Sequence, residues 1–68
     1  MTPHERATIV RLLTAEIEKN GPLELKYVPK CLAEGNIPPA VYSGPKKLLE
    51  SSFPEFFVFG QHGYDAVD

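Results

Sequence analysis

Cysteine, histidine and net positive charge are all scarce in this sequence, and each shortage removes a class of function. The single cysteine, Cys31, cannot close an internal disulfide or build a Cys-rich zinc site, so nothing points to an oxidising compartment. Only His4 and His62 could join it, and they lie at opposite ends of the chain without the spacing of a metal site. No metal or cofactor is expected. Seven Lys and Arg stand against nine Asp and Glu, a net charge of −2, so the chain lacks the global basic field behind sequence-independent nucleic-acid affinity. Any such contact must come from a local patch or from a larger protein that brings the two together. Apolar runs last only a few residues and MTPHER has no basic stretch leading into a hydrophobic one. Neither a membrane span nor a signal peptide is expected, and a cytoplasmic location is the default.

Catalytic signatures are missing too. Neither a P-loop nor a dinucleotide fingerprint occurs. Glu5, Glu16, Glu18 and Glu24 have no glycine-rich loop nearby, and Cys31 falls on an apolar face, where an inert buried thiol is expected rather than a nucleophile. The expectation is a protein that is not an enzyme.

What remains is a chain with a core. At 68 residues it allows one small domain, residues 1–68, and a 43% hydrophobic content in clustered positions places it with globular rather than disordered chains. Thr2-Pro3-His4-Glu5 fits a capping box with proline in the first turn. Ile9, Leu13 and Ile17, flanked by Val10 and Leu12, then mark an amphipathic helix of about four turns, closed by Asn20-Gly21-Pro22. Leu23-Glu24-Leu25 alternates as a very short strand. A second helix starts near Tyr27 or Val28, with Pro29 in its first turn and Val28, Cys31 and Leu32 facing the core, and stops at Gly35. Asn36-Ile37-Pro38-Pro39 is a rigid extended connector. Ser43 or Gly44 opens a third helix that buries Leu48 and Leu49 and ends at Phe53-Pro54. Phe56 to Phe59 reads as a strand, and Gly60-Gln61-His62-Gly63 turns it into Tyr64-Asp65-Ala66-Val67. Three helices, an early short strand and a C-terminal β-hairpin give an α+β winged helix-turn-helix, with the early strand as a third member of the wing sheet.

The order of these segments carries a resemblance. Gly21-Pro22-Leu23-Glu24-Leu25 feeding Tyr27-Val28-Pro29-Lys30-Cys31-Leu32, then Gly44-Pro45-Lys46-Lys47-Leu48-Leu49-Glu50, then Phe53-Pro54-Glu55-Phe56-Phe57-Val58, resembles the LOTUS (OST-HTH) domain over nearly the whole chain. The shared features are a Gly-Leu-containing strand opening and a G-x-K-x-L-L helix start; the family's P-x-x-F-x-V strand opening is met at Pro54 and Phe57, with Phe59 where the pattern has valine and Val58 one residue earlier. The resemblance implies a non-catalytic adaptor module of RNA-handling proteins that binds RNA, G-rich RNA (G-quadruplex RNA among it) included. Extended members also bind a DEAD-box helicase through a further C-terminal helix. The chain ends at Asp68 without room for that helix, so the minimal, RNA-binding form is expected.

Lys46 and Lys47 open the third helix, where they could meet phosphates. Basic residues there oppose the helix dipole by roughly 0.3–1 kcal/mol, which favours a binding role over a merely solvated face. Lys26 and Lys30 flank the second helix's start and join the same surface if the two helices pack side by side. Tyr42 is either a base-stacking ring or a packing residue, and Gln61 and His62 are polar candidates at the wing tip. Phe56-Phe57-Val58-Phe59 raises a rival reading. Alternate side chains face opposite sides of a strand, so one set needs cover from the first helix or from a partner, a second copy included. Duplex-DNA binding is disfavoured by the acidic balance and the short third helix.

Overall fold

The computed structural model describes residues 1–67. Helix α1 (Pro3–Asn20) begins with the capping box: the Glu5 amide donates to Thr2 Oγ1 at 3.1 Å and the Thr2 amide donates to Glu5 Oε1 at 2.8 Å. These bonds hold the Glu5 carboxyl below its ordinary pKa. The helix runs 18 residues, five turns rather than four, and buries Ile9, Leu13 and Ile17.

The short strand expected at Leu23-Glu24-Leu25 shrinks to one residue. Leu23 exchanges two backbone hydrogen bonds with Tyr64, both 2.8 Å, and the chain then coils into a 3-10 turn at Leu25–Tyr27, closed by the Tyr27 amide on the Glu24 carbonyl at 3.0 Å. Leu25 is therefore a turn residue, because its neighbours' backbone bonds close locally. Helix α2 (Val28–Glu34) follows directly and buries Val28, Cys31 and Leu32. Its end is a Schellman motif one residue beyond the expected glycine. Asn36, at φ 64°, takes the left-handed position, its amide bonds Ala33 and the Ile37 amide bonds Leu32, while Ile37 packs into the core. Gly35 serves close packing instead, facing the Leu12 side chain of α1.

After the Pro39–Val41 turn, α3 starts at Pro45 behind Gly44 and runs as α-helix to Lys47. Leu48–Ser52 continues it in a wider coil, closed by the Phe53 amide on the Leu48 carbonyl at 3.1 Å. This i to i+5 turn lets Leu48, Leu49 and Phe53 all reach the core, and Pro54 prevents further helix. Arg6 of α1 secures the junction, with its guanidinium 4.8 Å above the Phe53 ring and a 3.3 Å bond to the Ser52 carbonyl.

Strands β1 (Phe57–Gly60) and β2 (Gly63–Ala66) form the antiparallel hairpin, pairing Phe57 with Ala66, Val58 with Asp65, Phe59 with Tyr64 and Gly60 with Gly63. Strand order runs β1, β2, then the Leu23 bridge. Phe57 and Tyr64 enter the core, and the Tyr64 hydroxyl donates to Glu50 at 3.2 Å, tying the wing to α3. The result is an α+β fold with three helices and a wing-like hairpin around one core.

Candidate functional site

The first turn of α3 packs against the Leu25–Tyr27 turn. This single packing contact brings the start of α3, with Lys46 and Lys47, beside Lys26 although some twenty residues of chain separate them. Both α3 lysines are exposed and, among the described residues, neither forms an ion pair. Lys26 is different. Its ammonium lies 3.3 Å from the Glu24 carboxylate and 5.2 Å from the Tyr27 ring centroid. The bond to Glu24 holds the Lys26 ammonium above the usual lysine pKa.

The wing tip reaches the same region from the other side. Gln61 and His62 are the two exposed turn residues between Gly60 and Gly63, and with Phe59 they border an open groove of about 390 Å³ whose opposite wall is Glu24 and Leu25. The Leu25–Tyr27 turn is thus the hub between the α3 lysines and the wing tip. Lys30 lies farther along α2, in a cleft of about 370 Å³ shared with Glu16, Glu24, Tyr27, Cys31 and Glu34. Three carboxylates line the same cleft, so Lys30 stands in acidic surroundings rather than on a basic surface.

Of the two alternatives for Tyr42, packing is the one realised, and Tyr27 is the exposed tyrosine. Tyr42 is 7% exposed and packs in the core, where its ring cannot stack on a base. Burial pushes its phenol pKa up and leaves the hydroxyl without a hydrogen-bond partner among the described residues. Tyr27 is 50% exposed, beside Lys26 and bordering the Lys30 cleft. Both residues precede a helix, so position alone does not separate them. The available signal was the company of Tyr27, with a lysine immediately before it and another three residues on.

Cys31 is buried against α1, its thiol directed at the Leu12 carbonyl 3.8 Å away. Burial raises its pKa, and the Glu16 and Glu34 carboxylates add to the shift. A thiol so placed is a poor nucleophile. Among the described residues no group of three or more His, Cys, Asp or Glu is arranged to hold a metal ion, and no helix is long and apolar enough to cross a membrane.

The chain matches no protein-family model, no curated protein and no solved structure.

Proposed function

We propose that this chain is a non-catalytic RNA-binding module of the LOTUS type, acting as an adaptor for RNA-handling domains. The observation that carries the reading is the meeting of Lys26, Lys46 and Lys47 with an exposed aromatic ring, Tyr27, and the polar wing tip around one turn. Lysines position a phosphate backbone, and an accessible ring offers a stacking platform for an unpaired base. Stacking on one exposed aromatic is worth roughly 1–3 kcal/mol per base in single-strand binders. A duplex offers no free base to Tyr27, and α3 with its wide turn spans only Pro45–Ser52, a short element for reading a major groove. The resemblance to LOTUS domains adds the preference for G-rich RNA.

The test is a fluorescence titration with G-rich RNA, a control RNA of equal length and duplex DNA. RNA is expected to bind more tightly than the duplex, and the double variant Lys46→Glu/Lys47→Glu to abolish binding. Tyr27→Ala should weaken it without unfolding the chain, since half of the side chain is already in water. With three lysines engaged, log K should fall against log salt with a slope of about −2. Glu24→Gln is expected to act in the opposite direction, tightening binding by freeing Lys26 and removing a carboxylate from the hub. No RNA binding at low salt, or binding indifferent to both the lysine and the Tyr27 variants, sinks the proposal.

A further inference from the structure

We infer that β1 is a self-association edge, on which a second copy of the chain pairs in antiparallel fashion about Phe59. Three observations lead there. First, the edge is open: Tyr64 turns both its amide and its carbonyl toward Leu23, so β2 is covered on that side, while β1 has no neighbour on its other side among the described residues. Because Tyr64 bonds Leu23, the Phe59–Tyr64 pair is of the non-hydrogen-bonded kind, and the Phe59 N–H and C=O both point out from the free edge. Open edges of this kind are templates for another strand.

Second, the side chains along it are apolar and uncovered. Phe59 is 68% exposed, with the Tyr64 ring tilted beside it at a centroid distance of 5.1 Å, and Val58 is 53% exposed on the opposite face. Helix α1 leaves both exposed; the groove that Arg6, Ala7 and Val10 line is shared with Phe53, Glu55 and Phe56, not with Val58 or Phe59.

Third, the edge is complementary to itself. Phe56 to Gly60 carries no charge, so two copies meet without like-charge opposition even though each chain is acidic overall. Antiparallel pairing about Phe59 sets its free amide against the free carbonyl of its twin, twice over. It also sets Val58 opposite Gly60 of the second copy, which leaves room for the valine. A two-fold contact of this form needs one patch only and closes on itself. A charged peptide strand would find no opposite charge on this neutral edge, whereas a second copy matches it in both charge and register, which favours a second copy as the occupant.

The contact is small. Two edges of four residues each make a contact smaller than the roughly 1,200 Å² of stable interfaces, so the pair must be weak and concentration-dependent. Sedimentation equilibrium without RNA, from micromolar to millimolar protein, should show the mass rising from 7.6 kDa toward twice that value. Phe59→Lys should hold the chain monomeric, with an unchanged circular dichroism spectrum, and Lys46→Glu/Lys47→Glu should associate as the parent does. Hydrogen exchange supplies a readout that needs no variant: the Phe59 amide should exchange more slowly as concentration rises. A monomer at every concentration, a dimer undiminished by Phe59→Lys, or Phe59 exchange independent of concentration overturns the inference.

Discussion

Gly63 is the residue whose replacement tests the wing most directly. Its φ is +129°, a conformation that side-chain-bearing residues rarely adopt, and a Cβ built there would lie 2.7 Å from the Leu23 carbonyl oxygen, 2.8 Å from the Leu23 carbonyl carbon and 3.1 Å from the Glu24 nitrogen. All three are backbone atoms, so no rotamer change relieves the clash. Gly63→Ala leaves two routes. If the hairpin stays docked, the backbone strain costs roughly 1–3 kcal/mol and the overpacking a further 1–3 kcal/mol. If it withdraws from Leu23, the overpacking is relieved but two backbone hydrogen bonds are lost, each worth about 0.5–1.5 kcal/mol. With the backbone strain kept on both, either route loses about 2–6 kcal/mol, against a total stability of roughly 3–10 kcal/mol for a chain of this length. Urea unfolding followed by far-ultraviolet circular dichroism measures the difference. Gly60→Ala is the matched control on the same turn, because its nearest neighbour, the Gly63 carbonyl oxygen, would be 3.5 Å away in ordinary contact. Its effect should stay below about 1 kcal/mol, within the usual range for substitutions without a clash. A Gly63→Ala variant no less stable than Gly60→Ala would refute the account of how the wing is docked.

Other substitutions probe separate parts of the fold. Gly35→Ala should destabilise by driving a methyl into Leu12 of α1, and Leu12→Ala should recover part of that loss in the double variant, a non-additivity that urea midpoints can read. Thr2→Ala should lower stability by about 0.5–2 kcal/mol through loss of the cap. Because the Glu5 pKa is lowered in the folded state, its contribution is present above the ordinary glutamate pKa and fades as pH falls through the folded value; Thr2→Ala should flatten this acid limb of the stability curve. Tyr42 and Tyr64 carry the opposite sign, both raised chiefly by burial, so their stabilising effect is intact below the ordinary tyrosine pKa and is lost as pH climbs through the folded values. Alkaline titration should therefore show two tyrosinates appearing late, together with loss of helix. Cys31 should resist alkylation in the native state and react promptly in denaturant.

Local chemistry was readable wherever one short segment decides its own conformation. The Thr2 cap, the Ile9/Leu13/Ile17 stripe, the Val28/Cys31/Leu32 face and the glycine-flanked hairpin all depend on neighbours within a turn or two. What escaped depends on distant partners. Leu25 alternates correctly for a strand, yet only Leu23 finds a strand to pair with, and the Tyr27 amide is drawn back to Glu24. Asn36 rather than Gly35 takes the left-handed turn because Gly35 is needed flush against α1. Phe59 shares the inward parity of Phe57 but lies past the end of the core, so parity predicts a burial that the fold does not supply. The lysines were identifiable by type and position. Glu24 as the partner of Lys26, and the exposed ring of Tyr27, needed the 3-10 turn to be seen.

If both proposed surfaces operate, they are coupled through Phe59, which belongs to the β1 edge and also borders the wing-tip groove. Pairing about Phe59 sets the two wing tips on opposite sides of the two-fold axis and so places two copies of the RNA-binding hub on one assembly. A long RNA that reaches both hubs then gains an effective-concentration advantage, whereas a short one that fills a single hub does not. Phe59→Lys separates the two contributions. It removes the second hub while adding a positive charge beside the first, so short RNA should bind the variant at least as tightly as the parent, and long RNA should lose its advantage over short. Titrating both RNA lengths against both proteins at a concentration where the parent dimerises gives the comparison. Equal length dependence in parent and variant would mean that the two surfaces act separately, even if each is real.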